Sequence, residues 1–371
     1  MTTLHSLKAT LMRGGTSKGL FFRADHLPAD TEVRDRLLLR AIGSPDPYGQ
    51  QIDGLGCGIS STSKIVILSP SQRPDCDVDY LFGHVAIGEP LIDWSGNCGN
   101  LSAAVPLFAV SSGLVAPDKD GPFTIHIWQA NIGKRIRADI LIERGQPVWH
   151  GDYRIDGVAF PGAPIRLHFL DPAGGSSGRL FPTGNPLGTL HLPDGRALAA
   201  TLIDAGNPTV FVRATDLGLT GFETAADLSA ELRQTLEWAR AAGAVAMGLA
   251  RDIASATRER PATPKISFLS PSLTAGYDLN GRILSMGRLH HAFTGTGAIA
   301  LAAACAIEGT LASEIAGGVI RGRALNYSHA SGGQSLEARV SRHGTGWRVD
   351  EVVMTRTARP LMSGEVWVAL D

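Results

Sequence analysis

Cysteine is scarce: the 371 residues contain only Cys57, Cys76, Cys98 and Cys305, with neither C-x-x-C pairing nor metal-ligand spacing. That favours free thiols in a reducing compartment over disulfides or zinc. No excess of one charge exists either, since Lys plus Arg (34) nearly balances Asp plus Glu (35) and no basic stripe with interleaved aromatics occurs. A nucleic-acid surface therefore has little support, and any anion must be held locally. No run of about 18 or more apolar residues offers a membrane span, and the opening MTTLHSLKATLMRGG lacks the apolar core of a signal peptide. The expectation is a cytoplasmic protein bound to neither membrane nor nucleic acid. Aromatics make up only 6%, against 44 glycines and 21 prolines. This suits a turn-rich α/β or α+β chain, and its length suggests two domains.

The chain contains itself twice. GLFFRADHL (Gly19 to Leu27) aligns without a gap on TVFVRATDL (Thr209 to Leu217), and NCGNLSAAVPLFAVSSGLV (Asn97 to Val115) faces FTGTGAIALAAACAIEGTL (Phe293 to Leu311). The first pair reads as a buried strand ending in Arg-Ala; the second reads as small polar residues feeding an Ala-rich helix. Runs of period two mark strands at 123–129, 135–143, 164–170, 336–340, 347–354 and 365–370. The Gly-, Ser- and Pro-rich stretch from Asp171 to Gly188 reads as a linker, which places the domains at 1–185 and 186–371, with the last strand returning to the first. An amphipathic helix begins near Ala226 with Ser229 as a candidate N-cap.

Three segments could carry chemistry. Cys98 sits between Gly and Asn residues where a loop turns into a helix, and unpaired backbone N–H groups there favour a thiolate or a bound anion. Cys76 and Cys305 read instead as small buried hydrophobes. MRGGTSKG (Met12 to Gly19) offers N–H, hydroxyl and cationic donors for a carboxylate, but it does not match a nucleotide-binding loop. Lys64 follows four hydroxyl residues, Ser60 to Ser63, and enters an apolar strand, where desolvation disfavours the ammonium and favours a free amine able to take a proton. The alternative is a lysine that snorkels to water. Ser61-Thr62-Ser63-Lys64 also matches the S-x-x-K nucleophile pattern, although its partner sequences are absent and a strand rather than a helix follows. His290 and His291 are adjacent, so their side chains are expected to diverge, with one serving the core or supporting a neighbour.

Taken together, MRGGTSKG, SPDPYGQQIDG, SSTSK, DVDYLFG, DWSGNCGN, WQANIGK, FPTGNP, TPK and MGRLHHA resemble, in order along nearly the whole chain, the 2-methylaconitate isomerase family of the diaminopimelate epimerase-like superfamily. The 4-oxalomesaconate tautomerases are close relatives of that family. The resemblance implies two pseudo-twofold-related α/β domains, each a curved, mostly antiparallel sheet wrapped around a central helix, with the active site in the cleft between them. It implies proton transfer across an allylic system of a small unsaturated di- or tricarboxylate, without metal or organic cofactor. Lys64 and Cys98 match its catalytic pair. Thr294 stands where a two-thiol epimerase has its second cysteine, which disfavours a racemase. Substrate contacts are implied for Arg13, Gly14, Gly15, Thr16, Ser17, Lys18, Ser61, Thr62, Asn97, Gly99 and Asn100, and for Asn207, Met286, Thr294, Gly295 and Thr296. Two departures are Cys57, where glycine or alanine is usual, and Ala330, where proline is usual. Double-bond migration in methylitaconate or aconitate is a further alternative, as are a serine hydrolase using Ser61 and a non-catalytic accessory to an aconitase-like dehydratase. A homodimer is expected.

Overall fold

The computed structural model describes residues 3–344 and 346–370. The opening Met1 and Thr2 lie outside the described residues. The chain forms two compact units: the first runs to Leu167 and takes up the chain again at Thr355, and the second is His168–Met354.

The first crossing thus falls before the Gly/Ser/Pro-rich stretch rather than at the expected 185/186 division. That stretch is fastened inside the second unit. Gly174 N–H donates to the Asp204 carbonyl and Gly206 N–H to the Pro172 carbonyl, both at 2.8 Å. The Asp204 carboxylate, 1% exposed, accepts from the N–H groups of Ser176 (3.0 Å) and Ser177 (2.7 Å) and from the Ser177 hydroxyl. A buried carboxylate must be ringed by donors. Small residues let the backbone close on it, so a composition that reads as a hinge here builds a cage.

In the first unit, strand Thr3–Gly14 turns through Gly15 and Thr16 into Ser17–Arg23 and also pairs antiparallel with the last strand, Ala358–Leu370. Ser17–Arg23 lies parallel to Lys64–Pro70, which is antiparallel to Val78–Val85. Val78–Val85 runs parallel to Gly121–Gln129, whose antiparallel neighbour is Lys134–Glu143. Helix Thr31–Ile42 joins the first parallel pair; Asp30 caps its start by accepting from Glu32 and Val33 N–H, and Gly43 ends it in the left-handed region at φ 86°. The unit's second helix, Ala104–Ser111, is apolar on every side and buried from Ala104 to Val110, as a helix packed around its whole circumference must be.

The second unit repeats this order by itself. Asn207–Arg213 lies parallel to Lys265–Ser270, which is antiparallel to Leu279–Ser285, which is parallel to Leu325–His329. Helix Ala230–Ala246 joins the parallel pair, and Ser229 caps it by accepting from Leu232 N–H at 3.2 Å. Helix Gly295–Cys305 is buried at every residue and packs on strands Ala197–Ala205, Asn207–Arg213 and Gly332–His343. Each unit is a mostly antiparallel sheet with a buried helix against it. The period-two runs fall within observed strands, except that the run expected from Pro164 begins at Ile165. No helix of the described residues is long and apolar enough to cross a membrane.

Candidate active site

Lys64 opens the strand Lys64–Pro70 and is 5% exposed. Its Nζ donates to Ser17 Oγ at 2.9 Å and lies 3.4 Å from Cys98 Sγ, itself 6% exposed, with the Phe82 ring centroid 6.0 Å away. An amine and a thiol are in direct contact inside the protein. The lysine does not snorkel. Its strand neighbour must be Gly19, because a Cβ there would stand 2.7 Å from the Lys64 carbonyl and 3.1 Å from its Cβ.

Cys98 lies in a turn ahead of the helix and not at the helix start. A 3-10 turn, Leu101–Ala103, comes first, and the α-helix begins at Ala104. Pro106 then sits in the first helical turn, where a missing N–H costs no bond. The donors that reach Cys98 are therefore local. Leu101 N–H points at the sulfur at 3.4 Å, while Ser102 N–H and Oγ hold the Cys98 carbonyl at 3.0 Å each. Tyr80 Oη donates to the same carbonyl at 3.3 Å. Burial first, and the charge of Cys98 second, push the Tyr80 phenol well above its ordinary range, so it stays a donor.

Asn100 ties this turn to the glycine loop. Its Nδ2 donates to Thr16 Oγ1 at 3.0 Å, and its Oδ1 accepts from Arg356 Nε at 3.1 Å. Gly14 and Gly15 are required by this approach. A Cβ on Gly14 would meet the Asn100 carbonyl at 2.7 Å, and one on Gly15, at φ +50°, would run into the Asn100 side chain. Arg356, 4% exposed, is a site residue that sequence reading missed; its one local signal is an arginine between two threonines just after the apolar Val352-Val353-Met354.

The structure thus brings Thr16, Ser17, Lys64, Cys98 and Asn100 together and leaves other expected residues elsewhere. Ser17 and Lys18 are neighbours on one strand, so the pleat sends them to opposite faces. Ser17 meets Lys64, whereas Lys18 is on the exposed side with Nζ 3.0 Å from Cys57 Sγ. Arg13 commits its guanidinium to the carbonyls of Gly15 (3.1 Å) and Thr357 (2.8 Å); burial, with Arg359 nearby, lowers its pKa to about 10. It secures the loop rather than offering an open fork. Ser61 gives its carbonyl to Lys18 N–H, and Thr62 Oγ1 bonds the Ile59 carbonyl at 3.0 Å. Asn97 and Gly99 share the Cys98 turn, buried.

The remaining expected residues belong to the second unit. Asn207 Nδ2 donates to Thr296 Oγ1 at 3.0 Å, Thr294 caps the helix that Gly295 opens, and Met286 sits with Gly287 in the hairpin turn after Leu279–Ser285, both at positive φ. His290 and His291 do not diverge: their rings stack with centroids 4.8 Å apart and planes 19° from parallel. Among the described residues no group of three or more His, Cys, Asp and Glu could hold a metal ion. Burial raises the Cys76 thiol to about 11 and pushes Cys305 higher still, in keeping with inert core positions.

The PrpF protein family matches residues 4–369. A 2-methyl-aconitate isomerase of Cupriavidus necator is 46% identical, with both chains covered in full. Another from Shewanella oneidensis is 47% identical over 97% of this chain and 96% of the relative. The crystal structure of a methylitaconate-delta-isomerase superposes with a TM-score of 0.76 at 34% identity, covering 98% of this chain and 96% of that one.

Proposed function

The chain belongs to the PrpF protein family, and on that premise we propose that it is a cofactor-independent isomerase of small unsaturated tricarboxylates, acting on 2-methylaconitate by cis–trans isomerisation. The observation that carries the reading is the buried contact of Lys64 Nζ with Cys98 Sγ at 3.4 Å. Relatives of the same name that match end to end supply the substrate.

Carbon next to a conjugated carboxylate is only weakly acidic, so the site must stabilise the enolate-like charge that forms as the proton leaves. Lys64 removes the allylic proton as a free amine. The electron pair spreads over the allyl and carboxylate system, and rotation becomes easy about the bond that loses double-bond character. Cys98 then returns a proton to carbon. The pair is left as ammonium and thiolate, and one proton passing from nitrogen to sulfur across their contact restores the starting state. Leu101 N–H steadies the thiolate between these events. Thr16, Ser17 and Asn100 orient the carboxylate ends. The S-x-x-K hydrolase alternative has no support, since Lys64 opens a strand and its Nζ meets Ser17 and Cys98. The proposal carries with it a cytoplasmic location, a homodimer and a functional link to an aconitase-like dehydratase.

Proton NMR in deuterated water, with 2-methylaconitate, 4-oxalomesaconate and aconitate in turn, tests it. The expected result is isomerisation and deuterium uptake with 2-methylaconitate above the other two, lost in Lys64→Met. Preference for either of the other acids refutes the substrate, and unaltered turnover in Cys98→Ala refutes the acid.

A further inference from the structure

Strand Thr3–Gly14 has 12 residues and spans about 40 Å, whereas helix Ala104–Ser111, which packs against it, has eight and spans about 12 Å. The helix therefore covers only part of that sheet face. It starts after the Cys98 turn, and at its far end, beside Ser111 and Ser112, a cavity of about 470 Å³ opens over the uncovered strands. Strand alternation decides what lines it. Leu7, Leu20 and Phe22 turn to the opposite face, into the core around helix Thr31–Ile42. Lys8, Thr10, Phe21 and Arg23 turn to the cavity, and Ser363 joins them as the strand partner of Thr10, with the two hydroxyls 3.2 Å apart. The whole lining belongs to the first unit.

Its chemistry is cationic and hydroxylic beside an aromatic wall. Lys8, Arg23 and His26 line the cavity, and no Asp or Glu does. The charge of Arg23 is already met: Nη1 donates to the Ser112 carbonyl at 2.8 Å, and Nε and Nη2 donate to the Asp25 carboxylate at 2.9 and 2.6 Å. His26 shares the field of the same carboxylate. Lys8 is exposed and has no hydrogen bond or ion pair among the described residues; Glu365, its neighbour across the strand pair, does not line the cavity. Ser112 adds a hydroxyl whose buried oxygen has no hydrogen-bond partner among the described residues, a cost that a bonding partner in the cavity would remove. Phe21 and Phe108, with ring centroids 5.5 Å apart, supply apolar surface. One unmatched ammonium, hydroxyls and two phenyl rings suit an anion of single charge with a flat apolar body. A polycarboxylate does not fit, since its charges outnumber the one unmatched cation. The cavity is also remote from Ser17, about 20 Å away at the other end of strand Ser17–Arg23.

We propose that this cavity is a second ligand site of the first unit, separate from the Lys64–Cys98 pair, and that it takes a small aromatic monocarboxylate. The carboxylate meets Lys8 and the hydroxyls of Thr10, Ser112 and Ser363, and the ring lies against Phe21 and Phe108. The site stands whether or not the isomerase reading does.

Calorimetry of the full chain with 2-naphthoate, and with 2-naphthamide as its uncharged counterpart, tests this without turnover. The expected result is one naphthoate bound per chain with Kd below about 1 mM, and an amide weaker by about tenfold or more. Lys8→Gln is expected to weaken naphthoate by about tenfold or more while the amide stays within about twofold, a selectivity that loss of structure does not produce. Ser363→Trp, which fills the cavity from an exposed position, is expected to abolish binding of both. Lys64→Met is expected to bind naphthoate as the wild type does. Three results overturn the site: no saturable binding up to about 5 mM, equal affinity for acid and amide, or binding that survives Lys8→Gln and Ser363→Trp but is lost in Lys64→Met.

Discussion

The two units place a buried lysine, Lys64 in the first and Lys265 in the second, at the head of the same strand and differ in what the following helix presents. In the first unit a turn and a 3-10 segment stand between Cys98 and the α-helix, and the sulfur takes up a local N–H and the Lys64 amine. In the second, Thr294 is itself the N-cap, and its oxygen is committed to the helix. A cap residue is held in place by the N–H it accepts, which suits binding and ill suits chemistry. The thiol, displaced from the cap, keeps its sulfur available to a reacting partner. Duplication thus supplied one scaffold twice, and a shift of a few residues in where the helix begins separates a thiol ahead of one helix from a capping hydroxyl on the other.

The sharpest test of this comparison removes the amine that has a thiol. Lys64→Met is expected to lower kcat/KM for 2-methylaconitate by about a thousandfold or more and to abolish deuterium uptake, in line with the range for a general base. A residual rate within about tenfold of the wild type would remove Lys64 from the role of base. Cys98→Ser, which turns the first site toward the second, is expected to cost about a hundredfold in kcat with KM changed far less, measured in the same assay. Next in size is the tie between Asn100, Thr16 and Arg356. Asn100→Ala leaves a buried guanidinium without that oxygen and is expected to destabilise the protein by about 1–3 kcal/mol in denaturant unfolding. Helix caps give the smallest effect, because they are scaffold in both units: Asp30→Ala and Ser229→Ala are each expected to cost about 1 kcal/mol with kcat unchanged.

Thiol labelling sharpens the comparison in a different way. Cys57 is exposed and should react first with iodoacetamide, whereas Cys305, in the second helix, is fully buried with its thiol pushed up and should remain unlabelled until unfolding. Peptide mass spectrometry over a time course reads the order, and labelling of Cys305 ahead of Cys57 would contradict the buried core of the second unit.

Legibility followed the range of the interactions. Period-two runs, the two Ala-rich helices and the Ser229 cap depend on neighbours within a few residues, so they could be read directly. Lys64 and Cys98 were visible as a desolvated lysine and a thiol near a turn, but their contact joins positions 34 apart. Composition suggested Lys18 and Arg13 as substrate contacts but does not record that Lys18 reaches Cys57 and Arg13 the carbonyls of Gly15 and Thr357. Arg356 lies 256 positions from Asn100, and nothing local marks the pairing. The repeat of KIVILSPS (Lys64 to Ser71) in KISFLSPS (Lys265 to Ser272) was present in the letters, yet only the fold shows that both lysines are buried, with Ser285 beside the second.

The sequence by itself determined the strands, the buried helices, the internal repeat and the family, since each rests on local periodicity or on residues compared in order. Only the tertiary structure decided that Lys64 and Cys98 touch, that Ser17 faces them while Lys18 does not, and that the glycine-rich 171–188 stretch encircles Asp204 instead of dividing the units. Those outcomes depend on strand register and on the requirement that buried charge be met by donors from distant parts of the chain, and neither is written in any one stretch of it.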